Sequence, residues 1–374
     1  MPLAIDRVEL SIVRMDLVDA FHASSHTTRT LHHVLVRIDT ADGATGHGEC
    51  ATLDDPYYMG ETTETAWHVL ARFLVPSVLG RTFDDPGALA AALDPVKGNT
   101  FAKVGLEMAA WDAFGRASGR PVADLLGGAR AHIESGVSLG IERDRARLFA
   151  RIERHVAEGY RRVKLKIAPG DDVATVAAVR ERFPDLPLMV DANSAYTLAD
   201  ADHLRELDAF GLMMIEQPLA WDDIVDHAAL QAKLATPICL DESIRSARHA
   251  AHALDLGSCR VINVKPARVG GLLEAKRVHD VCAARGAPVW CGGMHEFGVG
   301  RAANVALASL PGFGVPGDVS GFDKYFVEDI VDPPTVCRGG TIDVPRAPGL
   351  GFELRDDLVR ARTERREIFD RRRN

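Results

Sequence analysis

The sequence predicts an α/β fold built around a (β/α)8 TIM-type barrel, preceded by a smaller unit of strands and helices. Two observations carry the prediction. Eight short apolar runs recur at steps of about 25 residues, at 136–139, 162–167, 188–190, 213–215, 238–240, 261–264, 289–291 and 314–315. Helix-period segments stand between them, at 173–182, 198–207, 221–234, 247–256 and 272–285. Eight such units make about 200 residues, the arithmetic of a barrel. The rival is a doubly wound sheet, which has fewer strands and opens on a phosphate-binding glycine turn. No G-x-G-x-x-G follows a strand here.

In chain order, the first 50 residues read as strands. Residues 8–13 and 33–38 alternate or are β-branched. The turn Ala41-Asp42-Gly43 leads to a third run ending at Cys50, giving an antiparallel meander. From Glu61 to Leu126 the pattern is helical, with apolar residues three and four apart at 65–78 and 101–117. Gly127-Gly128 then punctuates the chain. The predicted organisation is an N-terminal unit over 1–128, a barrel over 129–322 and a final segment over 323–374. That segment, rich in Pro and Gly, ends in a charged helix-like run at 363–373 and is expected to return to the N-terminal unit. Acidic Glu364, Glu367 and Asp370 interleave with the basic end Arg371-Arg372-Arg373, so it reads as a solvated helix end.

Composition excludes several classes. The 374 residues are 47% hydrophobic and 26% charged, so the bulk of the chain is not disordered. The net charge of −9 gives no basic surface for nucleic acid. No window approaches a membrane-spanning length, and the start MPLAIDRVEL lacks the pattern of a signal peptide. Cys50, Cys239, Cys259, Cys282, Cys291 and Cys337 form no C-x-x-C pair and are expected to be reduced thiols of a cytoplasmic protein.

The chemistry sits where barrel strands end. VKLKI supplies Lys164 and Lys166, VDAN supplies Asp191 and Asn193, and IEQP supplies Glu216. LDES supplies Asp241 and Glu242, NVKP supplies Lys265, and CGGMHE supplies Gly292, Gly293 and Met294. Asp191, Glu216 and Asp241 thus end three consecutive strands. Neighbouring strands lie about 4.8 Å apart, so three such carboxylates repel unless a cation joins them. Hard oxygen ligands suit Mg2+, and Mn2+ accepts the same set. A helix cap or a surface ion pair accounts for one such residue but not for three in register. Lys164 and Lys166 are two apart and share a face. Inside a barrel they need charge partners, and each is expected to lower the other's pKa toward a neutral base. Lys265 stands on the opposite side of the ring. A metal that binds a substrate carboxylate stabilises the enediolate left when the α-proton departs. Bases on both faces permit racemisation, and a β-leaving group permits elimination. His32, His33, His47, His68 and His252 read as surface or packing residues.

In the order K-x-K, D-x-N, E-Q-P, D-E-S, N-x-K, nearly the whole chain resembles the enolase superfamily, in its muconate-lactonizing-enzyme subgroup. A Lys or His base with Mg2+ is that superfamily's known chemistry. The segments GYRRVKLKIAPG, IEQPLAWDDIVDHA, TPICLDES, KPARVGG and GRAANVALASLP are most similar to those of N-acylamino acid (N-succinylamino acid) racemases, which overlap with o-succinylbenzoate synthases. The resemblance implies a modified barrel under an α+β capping domain, a homo-oligomer, and a small carboxylate as substrate. It implies that Asp191, Glu216 and Asp241 bind Mg2+. Lys166 and Lys265 would then be the acid/base pair, with Lys164 neutralising the enediolate. Ser138, Asn193, Arg268, Gly293, Met294 and Asp318 would meet the substrate, and Arg268 matches an arginine of the racemase branch. Racemisation of N-acylamino acids is the leading reading. Synthase, dipeptide epimerase and cycloisomerase activities use the same lysines. A metal-free Schiff-base lyase and a non-catalytic binding barrel are the readings from other classes.

The chain departs from the pattern at the pocket wall. Ser25 stands for an aromatic or apolar residue, His295 for Leu or Ile, and Phe297 for a small residue. Val319 replaces Thr, and Gly321-Phe322 replaces small polar residues. His22, His26 and His295 are expected at this wall.

Overall fold

Alternating apolar residues give the chain three opening strands, Leu3–His22, Thr27–Thr40 and Thr45–Cys50, paired antiparallel. The computed structural model describes residues 2–23 and 26–372, so Ser25 and Arg373 lie outside the described residues. One face of this sheet packs on the helix Thr100–Ser118. Glycine permits the close approach: a Cβ on Gly48 would lie 2.9 Å from the Ala109 nitrogen. Gly119, at φ +66°, ends that helix in the left-handed conformation favoured there.

The tail does return to this unit, but as a strand rather than a helix. Thr363–Asp370 pairs antiparallel with Leu3–His22, placing Val8 opposite Phe369 and Leu10 opposite Glu367. Its charged composition fits a helix locally. The open edge of the first strand offers backbone partners instead, and Arg366 reaches Glu9 at 2.6 Å. Tertiary context overrides a weak local preference here.

Among the described residues the parallel sheet has seven strands, in spatial order Val289–Cys291, Val261–Val264, Ile238–Leu240, Ile215–Glu216, Leu188–Asp191, Val163–Lys166 and Val137–Leu139. Their outer side chains merge with the surrounding helices in one large core. Inside, Met189, Met214, Cys239, Val261 and Trp290 fill the barrel. The eighth predicted run, 314–315, is not a strand. Residues just beyond it bond to both sheet edges, with Asp318 N donating to Cys291 O at 2.9 Å and Gly136 N to Gly317 O at 2.7 Å. Pro316 cannot donate to a ladder, which limits this position to the single bridge Ser135–Gly317.

Two helical segments also differ from expectation. The 198–207 stretch breaks into Leu198–Asp200, Ala201–Arg205 and Glu206–Phe210, the outer two being 3-10 turns. The 221–234 helix starts only at Val225, because the Asp223 carboxylate accepts from Val225 N and Asp226 N, both at 3.0 Å. All six cysteines are free thiols. Among the described residues no helix is long and apolar enough to cross a membrane.

Candidate active site

Strand register assembles the site. Lys166 lies opposite Asp191, and Asp191 opposite Glu216, across three neighbouring strands. Asp241 follows the next strand, Ile238–Leu240, and Lys265 follows Val261–Val264. The structure therefore brings Lys164, Lys166, Asp191, Glu216, Asp241 and Lys265 together. Ser138, Lys164, Lys166, Asn193, Lys265, Gly293, Met294 and Asp318 all line one cavity that includes about 740 Å3 of space, partly open to solvent.

The charges interlock. Lys166 Nζ donates to Asp191 at 2.6 Å and to Asn193 Oδ1 at 2.5 Å. Lys164 Nζ lies 2.9 Å from Glu216, 3.3 Å from Asp191 and 2.5 Å from Asp318. Lys265 Nζ donates to Asp241 at 2.7 Å and to the Tyr58 hydroxyl at 2.9 Å. Gly292 makes room for it, since a Cβ there would lie 2.7 Å from the Lys265 Cε.

These partners correct the expectation that the lysines lower one another. Burial alone would depress Lys164, but Asp318, Glu216 and Asp191 hold it well above the usual lysine range. Burial likewise opposes Lys265, and Asp241 and Tyr58 raise it. The nearby carboxylates outweigh both burial and the neighbouring cations.

The donor chemistry fits a hard divalent cation. Asp191, Glu216 and Asp241 are fully buried. Burial and the neighbouring Asp191 charge push Glu216 up to about 8. Burial, Asp241 and Asp191 push Glu242 up to about 7. Burial first, and the neighbouring carboxylates second, thus favour the protonated forms of both. Among the described residues no three His, Cys, Asp or Glu groups converge on one point, because these oxygens turn to lysine and arginine.

Five expected positions differ, among them Gly321 and Phe322, neither of which lines the cavity. Arg268 does not line the cavity. It lies fully buried behind Asp241, donating to that carboxylate and to the carbonyls of Ile244 at 2.7 Å and Asn263 at 2.5 Å. Phe297 also points away and stacks on His33, ring centroids 4.3 Å apart. His22 opens onto a neighbouring surface cleft, whereas His26, His295 and Val319 do line the cavity.

Sequence reasoning missed other members. Arg162 pairs with Asp318 at 2.8 Å, and Asn263 donates to Glu216 at 2.7 Å. Both stand two residues before a site lysine, so strand alternation could have found them. Tyr58 donates to Asp241 at 3.0 Å from a loop of the N-terminal unit, and no local signal marks it.

Known proteins share this architecture. The family model described as mandelate racemase/muconate lactonizing enzyme, N-terminal domain, matches residues 7–127, and that described as enolase C-terminal domain-like matches residues 147–358. A protein of Geobacillus stearothermophilus named o-succinylbenzoate synthase is 50% identical over 371 residues, covering 99% of each chain. An N-succinylamino acid racemase of an Amycolatopsis species is 49% identical over 360 residues, covering 95% of this chain and 97% of that protein. The crystal structure of an enolase superfamily member from Listeria innocua superposes with a TM-score of 0.95 at 38% identity, covering 98% of this chain and 99% of that one.

Proposed function

The chain belongs to the mandelate racemase/muconate lactonizing enzyme group of the enolase superfamily, and on that premise we propose that it removes the proton α to a carboxylate and expels water to form o-succinylbenzoate. One observation carries the reading. Lys166 and Lys265 reach the same cavity from two strands that are separated by the three strands leading to Asp191, Glu216 and Asp241. The names of relatives at 46–50% identity favour the synthase, which reverses the order that the motifs alone suggested for racemisation and elimination.

The substrate is the hydroxylated cyclohexadiene carboxylate whose loss of water makes the ring aromatic. Lys166, as the neutral amine, takes the α-proton onto Nζ. The resulting ammonium donates that proton to the departing hydroxyl on the same face, which leaves as water. Lys164 and Lys265 stay charged and offset the negative charge that develops on the substrate. Asp191, Glu216 and Asp241 would hold Mg2+, which would supply positive charge beside the substrate carboxylate.

Racemisation of N-succinylamino acids is the second reading. Lys265, facing the cavity across from Lys166, favours it, as do relatives at 49% and 47% identity that carry the racemase name. In that reaction Lys265 would return a proton to the opposite face.

The test supplies the cyclohexadiene carboxylate with Mg2+ and follows aromatic absorbance, with polarimetry of N-succinylamino acids run in parallel. Aromatic product without loss of optical rotation supports the synthase alone, and both signals support both activities. Neither signal from folded, Mg2+-loaded protein contradicts the proposal.

A further inference from the structure

Away from the lysine–carboxylate network, Phe21, Leu53, Val319 and Tyr325 give the cavity an apolar stretch, while His26, Glu296, Arg301 and Ser320 also line it. His295 interrupts the apolar stretch. This residue sits on the loop after Val289–Cys291 with φ +60°, a region that few residues other than glycine adopt. Such a conformation persists only where its surroundings over-determine it.

The surroundings do so. The His295 ring lies 4.5 Å from the Phe21 ring in an edge contact and 4.7 Å from the Tyr325 ring, measured between centroids. The far end of the loop is pinned from outside. The helix Gly298–Ala308 has no capping side chain of its own. Instead Glu49 accepts from Phe297 N at 2.8 Å and Gly300 N at 2.7 Å, and Asp329 accepts from Gly298 N at 3.0 Å. The imidazole is thus held in place before any ligand arrives.

Aromatic contacts hold the ring, and no hydrogen bond reaches it among the described residues. Burial, reinforced by Lys324, Lys166 and Lys265, keeps it well below the usual histidine range and therefore neutral. A neutral imidazole carries one donor and one acceptor, and the half-buried His295 ring presents them to a cavity that a ligand can enter.

We propose that His295 is a specificity-determining residue whose ring edge hydrogen-bonds a polar group on the part of the substrate remote from the reacting carboxylate. The inference rests on the carboxylate chemistry proposed above and refines its substrate class. A substrate with a hydrogen-bonding group at this wall, for which an amide serves as the probe, is preferred over a hydrocarbon of the same shape. Sites built to hydrogen-bond a group discriminate against analogues that lack it.

Calorimetric binding with Mg2+ present tests this without requiring turnover. Two matched pairs probe the two ends of the ligand. N-succinylasparagine is compared with N-succinylleucine, and succinamoyl-leucine with isohexanoyl-leucine. In at least one pair the wild type is expected to bind the amide member about tenfold tighter, and His295→Leu to erase that margin. His295→Asn, which tolerates the left-handed backbone and keeps a polar edge, is expected to retain part of it. His295→Ala serves where the leucine variant does not fold. No margin in the wild type, or one that survives loss of the imidazole, overturns the inference alone. No binding of any of these ligands to folded, Mg2+-loaded protein overturns this inference together with the racemase reading, while the aromatic-product assay decides the synthase separately.

Discussion

Lys166 and Asp191 are register partners on neighbouring parallel strands, and Lys166 Nζ lies 2.6 Å from the Asp191 carboxylate. Register alone therefore fixes the base beside the first carboxylate of the proposed metal site. Lys166→Ala is expected to lower elimination and α-proton exchange by about 100-fold to 10,000-fold, the range for a lost general base. Lys265→Ala is expected to abolish racemisation while α-proton exchange persists. Stopped assays for product and deuterium incorporation separate the two.

Metal removal is the second prediction. Chelation is expected to abolish turnover, and Mg2+ or Mn2+ to restore it. Mg2+ is also expected to raise the melting temperature, since the ion binds only the folded carboxylate set. Calorimetric scanning with and without the ion reads this directly.

A buried pair contributes to acid stability. Burial would raise the Asp318 carboxyl, but Lys164 and Arg162 hold it well below the usual carboxylate range. Its ionised form therefore stabilises the fold above its unfolded pKa of about 4, and that contribution fades as pH falls toward the depressed folded value. Asp318→Asn is expected to cost about 3–5 kcal/mol at neutral pH, because Arg162 is left buried without its partner. The cost is expected to shrink below about pH 4. Chemical denaturation across that range measures both.

Glu49 supports the pocket from the N-terminal unit. Its carboxylate accepts from Phe297 N, Gly300 N and His33. Glu49→Leu is expected to cost about 1–3 kcal/mol for each backbone donor left buried and unpaired, and Glu49→Gln less. Melting temperatures of the two variants test the ranking.

The legible part of this molecule is the part that repeats. Apolar runs at steps of about 25 residues, each with a polar terminus, are enough to place Asp191, Glu216 and Asp241 on adjacent strands, and the sheet order agrees. The eighth run failed because Gly314-Val315 is apolar but Pro316 limits pairing. The tail failed because its charges fit a solvated helix as well as a strand, and only the free edge beside Val8 decides between them. Arg268 was legible as a motif but not as a side chain behind Asp241, since its direction depends on the turn at Pro266–Val269. Tyr58 and Glu49 act across more than 180 residues of sequence, on Asp241 and Phe297, and no local pattern encodes that contact.

The proposed chemistry turns on removal of a proton α to a carboxylate by lysine at this site. Proton NMR in D2O with Mg2+ tests it most directly, using the cyclohexadiene carboxylate and a panel of N-succinylamino acids. The expected result is aromatic product from the first or loss of the α-proton signal from the second, with both absent in Lys166→Ala. Unchanged spectra with folded, metal-loaded wild type, or undiminished reaction in Lys166→Ala, contradict it.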